Sequence, residues 1–313
     1  DYINQQMFAC SLEMKDLDIR YGETFHKPKL VPCQISIKAS KAGDDIRVDP
    51  GVITMHTMSL KTSGKITGLA NPNFDLVIGT NDTSMKGWES LVPSLKEYEP
   101  DGNFTFQGSM KGTLGDLSAN LQFSAPRLAV KVSQATGGNK DATPSKSVFE
   151  FMDMKVQAEK KNNDIKGSGN LEIKKGVVMA AAFEKMQAQF DYQNDVLGIH
   201  GFQAHAFQGD ISMEGKVKPG KLHWIMKPVI TNINMAEVVD TLTQYKGLFK
   251  GIFSGSFTAN SSADDTQKGA IDATGSFRLD HGEIMNVNLV DTVMESLFGI
   301  KGVSMFVEKE GSE

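Results

Sequence analysis

The chain has 313 residues, of which 40% are apolar and 23% charged, and its net charge is −5. A chain of this size can bury a substantial core, either as one large β domain or as two smaller domains. Its lysines and arginines are scattered along the sequence, which argues against nucleic acid as a partner. No apolar run approaches the roughly 20 residues that a membrane-spanning helix needs.

The two ends and the two cysteines add further expectations. The chain starts at Asp1 rather than Met and ends in the polar run 308–313. We therefore expect a fragment from which targeting or membrane-anchoring segments have been removed. Cys10 and Cys33 are too few for a disulfide scaffold or a four-ligand zinc site. One disulfide between them and two free buried thiols are both compatible with the sequence.

Apolar and polar residues alternate along much of the chain, which is typical of strands with one buried face. The clearest runs lie at residues 104–110, 119–125, 211–217, 222–226 and 271–280. Short turn signals separate such runs, so consecutive strands are predicted to be antiparallel neighbours. The predicted fold class is therefore mainly β, a long curled antiparallel sheet that forms an open, taco-like groove.

Three stretches have helical spacing instead, and we expect short capping helices near 85–97, 234–246 and 287–298. In the first stretch, Pro93 would kink or divide the helix. In the second, Asn234 followed by Glu237 resembles a capping box. Helices at these places would cover the ends or an edge of the sheet, as many proteins do to prevent unwanted strand pairing.

A polar segment with few apolar residues, 135–146, is the best candidate for a flexible loop or linker. It separates a predicted first β-groove unit, 1–134, from a second, 147–313. The order strand, helix, strand recurs in the two halves at an offset of about 145 to 149 residues. The sequence therefore predicts a duplicated unit, and the two copies are also compatible with one continuous sheet.

The stretch 183–217, FEKMQAQFDYQNDVLGIHGFQAHAFQGDISMEGKV, resembles the repeating pattern of AsmA-like proteins. The run GIFSGSFTA at 251–259 followed by GSFRLDHGEI at 275–284 is similar to the C-terminal region of that family. The resemblance covers roughly residues 50–300, but the first 45 residues and the 135–146 segment do not follow it. It implies a periplasmic β-groove for lipid, anchored in the bacterial inner membrane and serving outer-membrane assembly or lipid traffic.

An apolar concave sheet face is either filled by side chains or open to an apolar ligand. We predict that phospholipids or other acyl-chain lipids contact phenylalanine, methionine, leucine and tryptophan side chains on this face. The predicted lining residues are Phe104, Phe106, Met110, Leu121, Phe123, Phe190, Met213, Trp224, Phe253, Phe257 and Phe277. A filled β-sandwich would show the same alternation, so a structural or adhesive module that binds protein or glycan is the alternative.

No motif for catalysis, metal binding or cofactor binding is found in the sequence. None of the six histidines belongs to a zinc motif, and the spacing of His200 and His205 predicts that they lie on opposite faces of a strand. We therefore predict a non-enzymatic protein without metal or cofactor. Its expected location is the periplasm.

Overall fold

The computed structural model describes residues 6–132, 145–178, 180–218, 223–243, 245–261 and 271–284. Within these ranges the chain is mainly β, and 16 strands form one antiparallel sheet that is not closed into a barrel. The predicted fold class is confirmed. The sheet follows chain order almost throughout, because short turns leave consecutive strands beside each other.

The structure divides into two compact units, and the first contains residues 1–131 and 149–171. Its strands are β1 (Gln6–Glu13), β2 (Ile19–Tyr21), β3 (Phe25–Lys27), β4 (Cys33–Ala42), β5 (Asp45–Met55), β6 (Met58–Thr67), β7 (Asn73–Thr80), β8 (Thr83–Ser84), β9 (Asp101–Thr113), β10 (Asp116–Val132) and β11 (Ser145–Lys161). The sheet order is β1-β4-β5-β6-β7-β9-β10-β11, with β8 paired to β9. Strands β2 and β3 form a separate two-stranded sheet.

The second unit contains residues 132–148 and 172–313, and the limits between the units fall within β10, β11 and β12. Its elements are β12 (Asp164–Val178), β13 (Ala181–Gln193), β14 (Val196–Ala206), β15 (Gly209–Lys218), β16 (His223–Asn234), α1 (Met235–Leu242), β17 (Phe249–Ser261) and β18 (Ile271–Ile284). These strands are paired in chain order. The predicted limits 1–134 and 147–313 stay predictions, because most of the 135–146 segment lies outside the described residues.

The predicted helix near 85–97 is wrong as a single helix. Two short 3₁₀ helices, Trp88–Ser90 and Pro93–Leu95, occupy this segment. Val92, between them, has an extended backbone (φ −119, ψ 92), because a residue that precedes proline is sterically disfavoured from the helical region. The segment still acts as a cap, since Leu91 is fully buried and its carbonyl accepts a hydrogen bond from His26.

The second predicted helix is present as α1, four residues shorter at its C-terminal end than the predicted 234–246. Asn234 is its N-cap, and the side-chain oxygen accepts from the backbone N–H groups of Ala236 and Glu237. The reciprocal half of a capping box does not form, because the backbone N–H of Asn234 donates to the carbonyl of Phe207. The third predicted helix, 287–298, lies outside the described residues.

The fully buried apolar side chains cluster where the strands meet a cap. In the first unit, Ala125 and Ala129 lie where β10 pairs with the start of β9, directly after the 3₁₀ segment. In the second unit, Val239 of α1 is buried, as are Ile233 and Phe183 on nearby strand ends. Each unit therefore has a small sealed core at its capped end. Most apolar side chains lie elsewhere on the sheet.

Candidate functional site

Strand pairing in the first unit places large apolar side chains on one face of the sheet. Phe106 lies opposite Phe123, and Met110 lies opposite Ala119 on β10. The rings of Phe104 and Phe123 are stacked with their centroids 5.4 Å apart. All five lining residues predicted in this unit, including Leu121 opposite Gly108, belong to this face.

The same apolar face continues across the neighbouring strands, because residues directly opposite each other in a ladder point to the same side. Leu76 and Ile78 of β7 lie opposite Met110 and Gly108. This row of apolar side chains, one beside the next on neighbouring strands, extends through β6, β5, β4 and β1. Its apolar members on these strands include Leu60, Ile66, Val48, Ile53, Ile35, Ile37, Phe8 and Leu12.

The second unit has an equivalent apolar face. Trp224 lies opposite Val217, and Met213 lies opposite Pro228 on β16, while Phe190 lies opposite Ile199. On β17 and β18, the ring of Phe253 is stacked against Phe257 and Phe277 at centroid distances of 6.4 and 5.8 Å. All six lining residues predicted in this unit share this face. Their contact with lipid stays a prediction.

The apolar faces are not sealed. All of the predicted lining residues are half-buried except Phe277, which is 71% exposed. A side chain covered by a second packed layer would fall to nearly complete burial. The apolar side chains are therefore shielded mainly by their neighbours on the same sheet face, and their outer surfaces remain accessible.

Glycines allow several large side chains to lie flat against the sheet. A Cβ atom at Gly275 would lie only 2.5 Å from Cδ1 of Phe257, and one at Gly108 would lie 2.8 Å from Cδ2 of Leu121. Because glycine has no side chain, the ring and the leucine occupy that space instead. The apolar layer is consequently thin at these positions.

The opposite face of the first unit is polar and carries cross-strand ion pairs. Lys65 on β6 contacts Asp45 on β5 at 2.7 Å, and Lys111 on β9 contacts Asp75 on β7 at 3.1 Å. Burial works against ionisation of Asp153 on β11. The hydrogen bonds that Asp153 accepts from Ser124 and Gln122, and the nearby Lys155, nevertheless hold its pKa below the ordinary value.

The expectation that His200 and His205 lie on opposite faces is wrong. A β-bulge between Ile199 and Phe202 inserts an extra residue into β14, and this shift returns both histidines to the polar face. His200 contacts Asp191, and His205 Nδ1 lies 2.9 Å from Asp210. Among the described residues, no cluster of three or more potential metal ligands is found.

The two cysteines are free thiols, so the disulfide alternative is wrong. The alternative of two buried thiols is wrong for Cys10, which is exposed, whereas Cys33 is buried. Cys10 on β1 lies opposite Ile37 of β4, four residues away from Cys33. At about 3.4 Å per residue, the two positions are separated by roughly 14 Å along the strand direction. A disulfide requires α-carbons within about 7 Å, so the strand register prevents it.

Comparison of the chain with protein-family models, with curated proteins and with solved structures gave no match. Within the described residues, no helix combines the length and the apolar character needed to cross a membrane. Candidate functions are therefore argued from the two chemically different faces of the sheet.

Proposed function

We propose that this chain is a non-enzymatic module that binds or guides lipid acyl chains along its apolar sheet faces. The observation that carries the proposal is the half-buried state of the apolar rows in each unit, from Leu76 to Met110 in the first and from Phe190 to Met226 in the second. Exposed apolar area of this extent is unfavourable in water and typically marks a binding surface.

The energetic gain from such binding is large. Each methylene buried contributes about 0.8 kcal/mol, so a sixteen-carbon chain gains on the order of 10 kcal/mol before ordering costs. The rings of Phe253, Phe257 and Phe277 and the flat-lying Leu121 offer contact without a specific polar group. Such a surface would accept acyl chains of different length, with the headgroup remaining in water.

The resemblance of 183–217 and 251–284 to AsmA-like proteins supports the same proposal. On this basis we propose a periplasmic location in the bacterial cell envelope, inner-membrane anchoring in the full-length protein, and a role in outer-membrane biogenesis or inter-membrane lipid transport. The sandwich alternative would require a second sheet packed against the apolar rows. Their half-buried state favours lipid binding instead.

Neighbouring residues on opposite faces provide a matched test. Ile78 belongs to the apolar face, while the adjacent Val77 lies on the polar face and is 57% exposed. The full chain would be titrated with a fluorescent sixteen-carbon fatty acid, and lipids extracted from purified protein would be identified by mass spectrometry. Ile78→Asp removes contact with roughly two methylenes, so we expect affinity to fall about tenfold or more, whereas Val77→Asp leaves it unchanged.

Met226→Asp and Ile225→Asp form the corresponding pair in the second unit, since Met226 lies on the apolar face and Ile225 on the other. Circular dichroism and thermal melting would verify that all four variants fold. Equal fatty-acid affinity for both members of each pair, or wild-type protein that neither retains lipid nor binds the probe, would refute the proposal.

A further inference from the structure

The polar face of the first unit contains three adjoining cavities, of about 720, 650 and 490 Å³. The 720 and 650 Å³ cavities share the lining residues Asp49, Ser63 and Val77, and the 650 and 490 Å³ cavities share Arg47 and Asp49. Together they form a continuous depression across the strands from β1 to β11, which we call the polar trough. A twisted sheet is saddle-shaped, so its polar face also has a concave direction.

Cationic side chains predominate in the polar trough, although the whole chain has a net charge of −5. Its lining includes two carboxylates, Asp49 and Asp75. The cationic members are Lys38, Arg47, Lys61, Lys65 and Lys155. Strand pairing therefore concentrates positive charge that is dispersed in the sequence.

Not all of these cations are neutralised by neighbouring groups. Arg47 is paired with Asp49 at 3.5 Å, and Lys65 is paired with Asp45. Lys38, Lys61 and Lys155, by contrast, form no ion pair with any residue in the described part of the chain. Lys155 acts electrostatically on the nearby Asp153 without forming an ion pair, so all three ammonium groups can still contact an external anion.

Side-chain amides and hydroxyls surround the lysines in the largest cavity. Its polar members are Gln107, Asn120, Gln122, Gln157, Ser63, Ser109, Thr62 and Thr80, and no aromatic residue lines it. The amide nitrogen of Gln122 donates to Asp153 at 2.8 Å, which fixes this amide and leaves its oxygen as an acceptor. Amides that both donate and accept suit hydroxyl groups, and lysines suit carboxylates or phosphates.

We propose that the polar trough binds a linear acidic polysaccharide, whose carboxylates or phosphates contact Lys38, Lys61 and Lys155 and whose hydroxyls contact the amides. From β4 to β11 the ladder advances by six strands, or about 29 Å at roughly 4.8 Å per strand, so an elongated ligand is required. Single-stranded nucleic acid is less well suited, because aromatic stacking platforms are missing from the largest cavity. A flat bilayer would not reach the floor of a concave surface.

The test uses an oligogalacturonate long enough to span the trough and a neutral maltooligosaccharide of equal length, with affinities measured by calorimetry at low and high salt. We expect the oligogalacturonate alone to bind, with an affinity that weakens as salt increases. Lys61→Gln combined with Lys155→Gln should reduce this affinity by about tenfold or more at low salt.

The double variant Lys96→Gln/Lys216→Gln is the matched control, because both lysines are exposed, lie outside the trough and give the same change in net charge. It should bind as the wild type does. The proposal would be overturned if the two double variants lost affinity equally or if the neutral sugar bound as well as the oligogalacturonate. Tighter binding of single-stranded DNA or of anionic phosphatidylglycerol vesicles would overturn it too.

Discussion

Substitution of Lys27 tests how the first unit holds the two-stranded sheet of β2 and β3 in place. The side chain of Lys27 is completely buried (0% exposed), and Nζ donates to the carbonyls of Lys15, Leu17 and Pro28 at 3.1, 2.8 and 3.2 Å. A lysine ammonium has three donors, so all of them are used. The group therefore links the segment before β2 to the segment after β3.

Lys27→Met keeps a similar side-chain length but removes all three hydrogen bonds. Hydrogen bonds from a charged group contribute about 1.5–3 kcal/mol each, or roughly 7 kcal/mol for three at the middle of that range. Relief of the desolvation of the buried ammonium offsets part of this loss. We expect a net decrease of about 3 kcal/mol in the free energy of unfolding, which corresponds to a melting temperature lower by roughly 6–12 °C.

Urea denaturation followed by circular dichroism would measure the change in unfolding free energy. Hydrogen exchange of residues 14–32 would show whether the loss is local or global. Lys29→Met is the control, because Lys29 is exposed and two residues away. If Lys27→Met were as stable as this control and exchanged no faster in 14–32, the three hydrogen bonds would have no net stabilising effect.

Two further predictions concern a tyrosine and the cysteines. The hydroxyl of Tyr192 donates a hydrogen bond to Asp195 at 3.0 Å, which raises the pKa of Tyr192 above its ordinary 10.0. This hydrogen bond contributes fully to the stability of the folded state below pH 10, and the contribution is lost as the pH rises through the raised pKa. Asp195→Asn should lower that pKa in an absorbance titration at alkaline pH, and an unchanged titration would contradict the assignment. In native protein, a thiol reagent should modify the exposed Cys10 quickly, whereas Cys33, which is 2% exposed, should react only on unfolding. Mass spectrometry of the labelled peptides would measure both rates, and equal labelling of the two cysteines would contradict the prediction.

Much of the sheet could be predicted because alternation has a direct physical cause. Where a strand has one face in water, every second residue must be polar, and the runs containing Phe104, Met213 and Phe277 follow this rule. Because a short turn can connect only antiparallel strands, consecutive strands become antiparallel neighbours. The fold class and the composition of the apolar face follow from these two facts.

Local irregularities could not be predicted in the same way. The bulge beside Gly201 changes which face His200 occupies, and nothing in the spacing of the histidines indicates an inserted residue. At 85–97, the division at Pro93 was indicated by the sequence, but the replacement of α-helix by two 3₁₀ turns was not. In both cases backbone geometry at one or two residues overrides the pattern of its neighbours.

The polar trough was missed because its members are far apart in sequence. Lys61 and Lys155 are brought to one surface by five strands in register, and scattered lysines in a sequence give no sign of this. A signal was nevertheless present, since Lys61 and Ser63 on β6, like Lys155 and Gln157 on β11, occupy alternate positions of one strand.

The neighbour-to-neighbour connectivity of the strands has an evolutionary consequence. The strands β5, β6 and β12 to β16 are each hydrogen-bonded to the strands before and after them in the chain. Duplication or deletion of one hairpin would therefore preserve strand direction and the identity of both faces. Chains of this design can lengthen or shorten in steps of about 10 Å, much as solenoid proteins grow by whole repeats, without redesign of the remaining strands.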